Sequence, residues 1–368
     1  MGSTTENQLW DKPSNINEID DDACLYALML SISHVFPMAL NAAIELNVFD
    51  IIASRANGDG YMSPSEIAAQ LPTRNPDAPS LLDRMLRLLA SHSLLTSSIR
   101  TCEDGRVERL YGLSPAGKFY AQNEDGGYVG SLALLTFHRK VAKVWLHFKD
   151  AILEEGNLFE NVYGMPIFQY MGADLTVNKL FNNCMADLSG ITMKKFLETY
   201  KGFEGVSLLV DVGGGIGATL NKIISKYPSI KGINFDAPHV VQHAPSYPGI
   251  EHVGGDMYVS IPEGDAIIMK ATIHNWSDEH CIKLLKNCHK ALQQNGKVII
   301  IDYLMPEAAE SSDAARYVSA ADNAMLVNLG GKERTEKEFE ALSQSSGFSA
   351  FHLICRIYNV VGVMELYK

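Results

Sequence analysis

Apolar positions along the chain change their spacing twice. From Ala23 to Leu46 they are dense, broken by His34, Pro37, Asn41 and Glu45. A membrane span tolerates such breaks poorly. The stretch therefore reads as a helix pair kinked at Pro37 and buried in a core or a dimer interface. Ser63-Pro64-Ser65-Glu66 is a helix start: Ser63 can cap, Pro64 suits the first turn, and Glu66 can complete a capping box. It predicts a helix over 65–71, followed by an amphipathic helix over 78–91. Extended runs follow over 94–100 and 106–112, and Ser114-Pro115 predicts a helix restart. Two helices and a hairpin make a winged-helix arrangement, which often binds DNA. Here the second helix carries Asp83, Arg84 and Arg87 among leucines. That is a packing face, so the segment reads as a dimerisation module.

Helical spacing continues to Tyr200, and then strand-like runs begin: 206–210, 231–235, 250–253, 266–271 and 297–303, with helical segments such as 218–226 and 279–292 between. This alternation predicts a doubly wound, Rossmann-like α/β domain, parallel over most of its width, with its ligand at the carboxyl ends of the strands. The expected organisation is a disordered tail over 1–22, a mainly helical dimerisation domain over 23–125, and a catalytic domain over 126–368 that includes substrate-pocket helices.

Composition narrows the partners. The 368 residues carry a formal net charge of −12. Phosphate binding needs clustered Lys and Arg, so nucleic acid and anionic membranes are not expected as partners. The N-terminus lacks a signal-peptide pattern, and Glu6 fits the myristoylation motif poorly. Six scattered cysteines suggest reduced thiols in the cytoplasm. His280-Cys281 and Cys288-His289 do not have a common zinc spacing, and no metal is expected.

Chemistry-bearing residues stand at the strand ends. The first strand ends in Gly213-Gly214-Gly215-Ile216-Gly217, the second in Asp236, and the third in Gly255-Asp256-Met257. The fourth leads into Lys270 and His274-Asn275-Trp276, and the fifth ends in Asp302. The glycine spacing lacks the third glycine of the dinucleotide fingerprint. Asp211 lies on the approach to the loop, where a carboxylate repels a pyrophosphate. Asp256 suits an amine donor such as adenine N6. A cofactor with ribose, adenine and a positive centre but no phosphate fits these features better than NAD. An NAD-dependent oxidoreductase and a non-catalytic dimeric binding protein are the alternatives.

The motifs VDVGGGIG, NFDAPHV, GGDMY, HNWSDEHC and GGKERTEKEF together resemble the plant small-molecule O-methyltransferases of the caffeic acid type, over nearly the whole chain. The resemblance implies S-adenosylmethionine as donor, a phenolic hydroxyl as acceptor, and a homodimer whose N-terminal helices help close the partner's pocket. It implies that Gly213, Asp236, Asp256, Met257 and Lys270 bind the cofactor. It makes His274 the catalytic base, flanked by Asp302 and Glu333. It places Phe181, Met185, Met325 and Asn328 around the acceptor.

The chemistry is consistent with those roles. A sulfonium methyl is already activated, so no metal is required. A phenol of pKa near 10 must lose its proton as it attacks, and a histidine of pKa about 6.5 can take it. Four positions depart from the family pattern. Asp302 replaces Glu, and Ala271 replaces Trp. Met171 replaces a pocket His, and Val177, with Leu188 nearby, lines the same region. These changes predict a roomier, more apolar acceptor pocket, suited to a flavonoid, lignan or alkaloid phenol as well as a phenylpropanoid.

Overall fold

The computed structural model describes residues 20–55, 60–102, 104–122 and 127–368. Of the expected tail, residues 1–19 lie outside the described residues. Asp20 caps the first helix by accepting the Ala23 N–H at 3.1 Å. The chain forms two compact units, 1–122 and 123–368.

In the first unit, helices Asp21–Ser31 and Val35–Glu45 meet at a bend of 48°. The break falls at Ile32–His34 and not at the expected Pro37. Pro37 is the third residue of its helix, where a backbone N–H has no intrahelical partner to lose. The second helix buries Leu40, Ala43 and Ile44 within the chain, and the first does not. No residue of Asp21–Ser31 is buried, and Leu25, Leu28 and Ile32 are 57%, 60% and 62% exposed. Among the described residues no single helix is long and apolar enough to cross a membrane; only this bent pair passes on length and composition.

The capping box forms as the residue types require. Ser63 Oγ accepts the Glu66 N–H, and Glu66 Oε2 accepts the Ser63 N–H at 2.7 Å. Helix Ala78–Ser91 buries Ala78, Leu82, Leu86 and Leu89 on one stripe. Strands β1 (Leu95–Thr101) and β2 (Val107–Leu113) pair antiparallel. Asp83 accepts two bonds from Arg109 and one from the Tyr111 hydroxyl at 2.8 Å, so its charge is spent on the hairpin. The restart expected at Ser114-Pro115 is only one 3-10 turn, Gly117–Tyr120.

The second unit is built on β3 (Leu208–Val212), β4 (Lys231–Asp236), β5 (Ile250–Gly254), β6 (Gly264–Lys270), β7 (Leu292–Met305), β8 (Arg334–Thr335), β9 (Ala350–Ile357) and β10 (Val361–Tyr367). The sheet runs β5-β4-β3-β6-β7-β10-β9, with β8 beside β7. Strands β3 to β8 pair parallel, and β10 runs antiparallel to both β7 and β9. The strand order reverses between β3 and β6, so a crevice opens at their carboxyl ends.

Both faces of the sheet are covered, which explains the unbroken apolar runs. Val298 and Ile300 of β7 pack with Leu284, Leu285 and Cys288 of helix Asp278–Ala291. Ile299 and Ile301 face the other way, toward Met193 and Phe196 of helix Leu175–Thr199. Cys281 and Cys288 are core residues, and burial pushes the Cys281 thiol up to about 11.

A buried polar cluster ties β10 to β7. Glu365 accepts bonds from the Tyr200 and Tyr367 hydroxyls and from Lys297 Nζ at 2.6 Å. Burial opposes its charge, but Lys297 and the two tyrosines outweigh that and hold its pKa below the ordinary Glu range. Because the folded pKa is lowered, this stabilisation is present above the ordinary Glu range and is lost as pH falls through the folded value. Glu365→Ala leaves Lys297 unpaired and should cost about 3–5 kcal/mol, read as a lower denaturant midpoint. The wild-type advantage over Glu365→Ala should shrink below about pH 4.

Candidate active site

The glycine loop after β3 has a shape that side chains would block. Gly213, Gly215 and Gly217 take positive φ of 72°, 60° and 84°. A Cβ on Gly214 would lie 2.2 Å from Asn234 Oδ1 and 2.7 Å from Asp211 Cγ. Two side chains of β4 hold the loop: Asn234 Nδ2 donates to the Gly215 carbonyl at 2.8 Å, and Asp236 Oδ2 accepts the Gly215 N–H at 2.8 Å. The other oxygen of Asp236 accepts the Ala237 N–H at 2.7 Å. Asp236 is thus rigidly aimed across the loop before any ligand arrives. Asp256 sits beyond β5 and accepts the Tyr258 N–H at 2.8 Å, and Met257 follows it, its carbonyl held by Asn287.

Beneath the loop lies Asp211, 1% exposed, with Oδ2 lacking a partner. Burial raises its pKa to about 7, against the pull of Lys270. Lys270, at the end of β6, is itself lowered by burial, with Asp211 and Asp302 opposing. A buried carboxylate with an open oxygen suits a cationic ligand and disfavours a pyrophosphate.

After Lys270 the chain turns sharply. Ala271 takes φ 52°, unusual for a residue with a Cβ, and its N–H still bonds Ile301 of β7. The 3-10 turn Ile273–Asn275 then presents His274, which is 8% exposed. Its Nδ1 is 2.8 Å from Glu333 Oε1 and 3.4 Å from Asp302 Oδ1. Asp302 Oδ2 also accepts the His274 backbone N–H at 3.3 Å. Both acids therefore address the same ring nitrogen, which assigns the proton to Nδ1 and leaves Nε2 as an acceptor.

Sequence reasoning missed three residues that bring Glu333 to His274. Arg334, 0% exposed, donates to the carbonyls of Ile273 and Trp276 at 3.1 and 2.7 Å and pairs with Asp278 at 2.7 Å. Gly331 passes so close that a Cβ there would be 2.1 Å from the His274 carbonyl oxygen. Asp322 accepts the Glu333 N–H at 2.8 Å. Two of these stand inside the motif GGKERTEKEF, where adjacent glycines before a charged run were the available signal.

Electrostatics also revise the expected histidine. Burial alone would lower its pKa, but Asp302 and Glu333 outweigh it and raise it to about 9. Burial pushes Glu333 above its ordinary range, with His274 pulling the other way.

Of the expected acceptor residues, Met185 is 37% exposed, and Phe181, Met325 and Asn328 are half-buried. Phe181 meets Phe168 edge-on at 6.3 Å. Asn328 Nδ2 is spent on the Ala324 carbonyl, and its Oδ1 is buried without a partner. Met171 and Val177 are different: at 5% and 2% exposure they present no open wall, so the extra room expected from them is closed over. Met171 is a buried residue of helix Ile167–Ala173 and Val177 of helix Leu175–Thr199.

Comparison with known proteins is consistent with this geometry. A family model described as an O-methyltransferase domain matches residues 145–349. A second, described as an O-methyltransferase dimerisation domain, matches residues 28–123. A caffeic acid 3-O-methyltransferase of Prunus dulcis is 55% identical over 369 residues, spanning 100% of both chains. The chain belongs to the O-methyltransferase family. O-methyltransferase 13 of Lophophora williamsii is 57% identical over 350 residues, covering 95% of this chain and 96% of its own. The fold is shared with human N-acetylserotonin methyltransferase in complex with SAM, at a TM-score of 0.77 and 22% identity, covering 96% of this chain and 99% of that one. It is also shared with CalO1, a methyltransferase of calicheamicin biosynthesis in its SAH-bound form, at 0.80 and 23%, covering 96% and 100%. S-adenosylmethionine as methyl donor is thereby supported, and NAD is set aside. The matched dimerisation domain supports a homodimer, for which the apolar face of Asp21–Ser31 is suited.

If Asp236 receives the ribose hydroxyls of this O-methyltransferase's donor, Asp236→Ala loses charged acceptors worth about 1.5–3 kcal/mol. The dissociation constant for S-adenosylmethionine should rise by roughly 10- to 150-fold in calorimetry. An unchanged constant removes Asp236 from the site.

Proposed function

We propose that this O-methyltransferase transfers the methyl group of S-adenosylmethionine to a phenolic hydroxyl of a plant small molecule, a phenylpropanoid, flavonoid, lignan or alkaloid, with His274 as general base and without a metal. The observation that carries this reading is the buried imidazole whose Nδ1 is claimed by Glu333 at 2.8 Å, leaving Nε2 to take a proton. Six free cysteines accord with a cytoplasmic enzyme.

When bound, the donor supplies a methyl group already activated on a sulfonium. The protein must then position the acceptor oxygen and relieve it of its proton. Asp211 and Lys270 form the charged floor of the donor side, and Gly213, Asp236, Asp256 and Met257 its rim. Across the crevice His274 Nε2 accepts the phenolic proton, and Glu333 and Asp302 balance the resulting imidazolium. A base of pKa about 9 nearly matches a phenol of about 10, so the transfer itself costs only roughly 1–2 kcal/mol. The same two acids keep the free imidazole mostly protonated at neutral pH, so strength as a base is exchanged for the fraction ready to act.

The ligand atoms of His274, Asp302 and Glu333 also lie within 4.8 Å of one another, a spacing that a divalent cation accepts. The metal-free reading rests on both carboxylates already serving one protonated nitrogen. Exhaustive chelation should leave turnover intact; loss that a divalent ion restores would replace this reading by a metal-assisted one.

The imidazole must be neutral to act, so kcat/KM should rise with pH, pass its half-maximum near pH 9 and level off only above it. Glu333→Gln removes the charge that holds the proton, and its profile should rise at lower pH with a lower plateau. His274→Gln should cut turnover by about 10²- to 10⁴-fold with donor affinity nearly unchanged. Retained turnover in that variant would assign the base elsewhere.

A further inference from the structure

Two tyrosines outside the assigned residues stand beside the base. Tyr303 follows Asp302 in β7, and Tyr317 lies in helix Asp313–Leu329. Their hydroxyls are 2.9 Å apart, and their rings meet edge-on at 5.6 Å. The Tyr303 ring is 6.5 Å from the His274 ring. On the helix, Asn328 stands three turns beyond Tyr317 on the same face, and Met325 flanks that face. Tyr317 also senses the Cys184 thiol, the residue before Met185 in helix Leu175–Thr199. The pair therefore joins β7 to the helix that carries Met325 and Asn328, beside the His274 ring.

The pair is partly open to solvent. Tyr317 keeps 39% of its surface open, yet burial still raises its hydroxyl above the ordinary range. Tyr303 is half-buried against the sheet. Each hydroxyl is one donor with acceptor lone pairs. One hydrogen is used between the two, so one remains to donate outward. The ionisable groups acting on both hydroxyls from the site side include Glu333, and Asp302 acts on Tyr303 as well. An anion arriving here would meet Glu333 and Asp302, two carboxylates that the one protonated imidazole offsets only in part.

We propose that the Tyr303–Tyr317 hydroxyl pair is a specificity determinant that binds an uncharged oxygen function of the acceptor, a carbonyl, methoxyl or hydroxyl, so that the favoured phenol carries no free carboxylate. This rests on the phenol O-methyltransferase reading.

The test compares one catechol acid with its methyl ester, which share a ring and differ in charge. Wild type should give the higher kcat/KM with the ester. Tyr303→Phe and Tyr317→Phe keep the rings and remove one hydroxyl each. Each should lower the ester-to-acid ratio about 3- to 10-fold through KM, the usual worth of one hydrogen bond. The double variant should lose little more than either single, because the two hydroxyls act as one unit. The pH profile and donor affinity should stay as in wild type, which separates acceptor recognition from damage to the base. A wild-type preference for the acid overturns the proposal, and so does an equal loss on both acceptors, which marks a structural pair. If wild type methylates neither compound nor any other phenol, the phenol reading itself fails.

Discussion

The 2.8 Å contact between His274 Nδ1 and Glu333 Oε1 organises the candidate site of the second unit. It joins residues 59 positions apart and buries charge, which is costly unless the geometry is held from outside. The fold supplies that hold. Arg334 binds the turn through two carbonyls, Lys332 donates its N–H to the His274 carbonyl at 3.0 Å, and Asp322 anchors Glu333 from the helix before it. Ala271 carries the strain of the turn at φ 52°, and the β6–β7 ladder keeps it in place. Asp302, one methylene shorter than Glu, divides its oxygens between the imidazole at 3.4 Å and the backbone at 3.3 Å. It acts as an electrostatic partner more than as a hydrogen-bonded orienter.

The donor half follows the same logic with opposite chemistry. Polar groups at the ends of β3 and β4 are buried but incompletely satisfied: Asp211 Oδ2 and Asn234 Oδ1 have no partner. Buried orphans of this kind are expensive, and they persist where a ligand completes them. Asp211, Lys270 and Asp302 influence one another in series from the glycine loop to the base.

The first unit solves a separate problem. Its hairpin and helix Ala78–Ser91 use Asp83, Arg109 and Tyr111 to hold one another. Its first helix instead leaves apolar side chains open, matching the dimerisation domain found over residues 28–123. A second copy that covered such a face would gain by the hydrophobic effect acting between chains as it acts within them.

Much was legible in the sequence because it is local. Strand period, the capping box at Ser63, the glycine loop and the acids at strand ends each depend on neighbours within a few residues. A parallel sheet then forces those strand ends together, so the strand pattern alone groups Gly213, Asp236, Asp256, Lys270 and His274. What the sequence left open was decided by contacts between distant segments. The bend fell at Ile32–His34 because Pro37 costs nothing in a first turn. Met171 and Val177, expected to open the acceptor wall, are buried in the packed structure. The histidine's pKa rose to about 9 because two acids from different strands converge on one nitrogen in a site that excludes water. Spacing along a chain carries local geometry, but solvent exclusion and charge convergence are set only once distant segments pack.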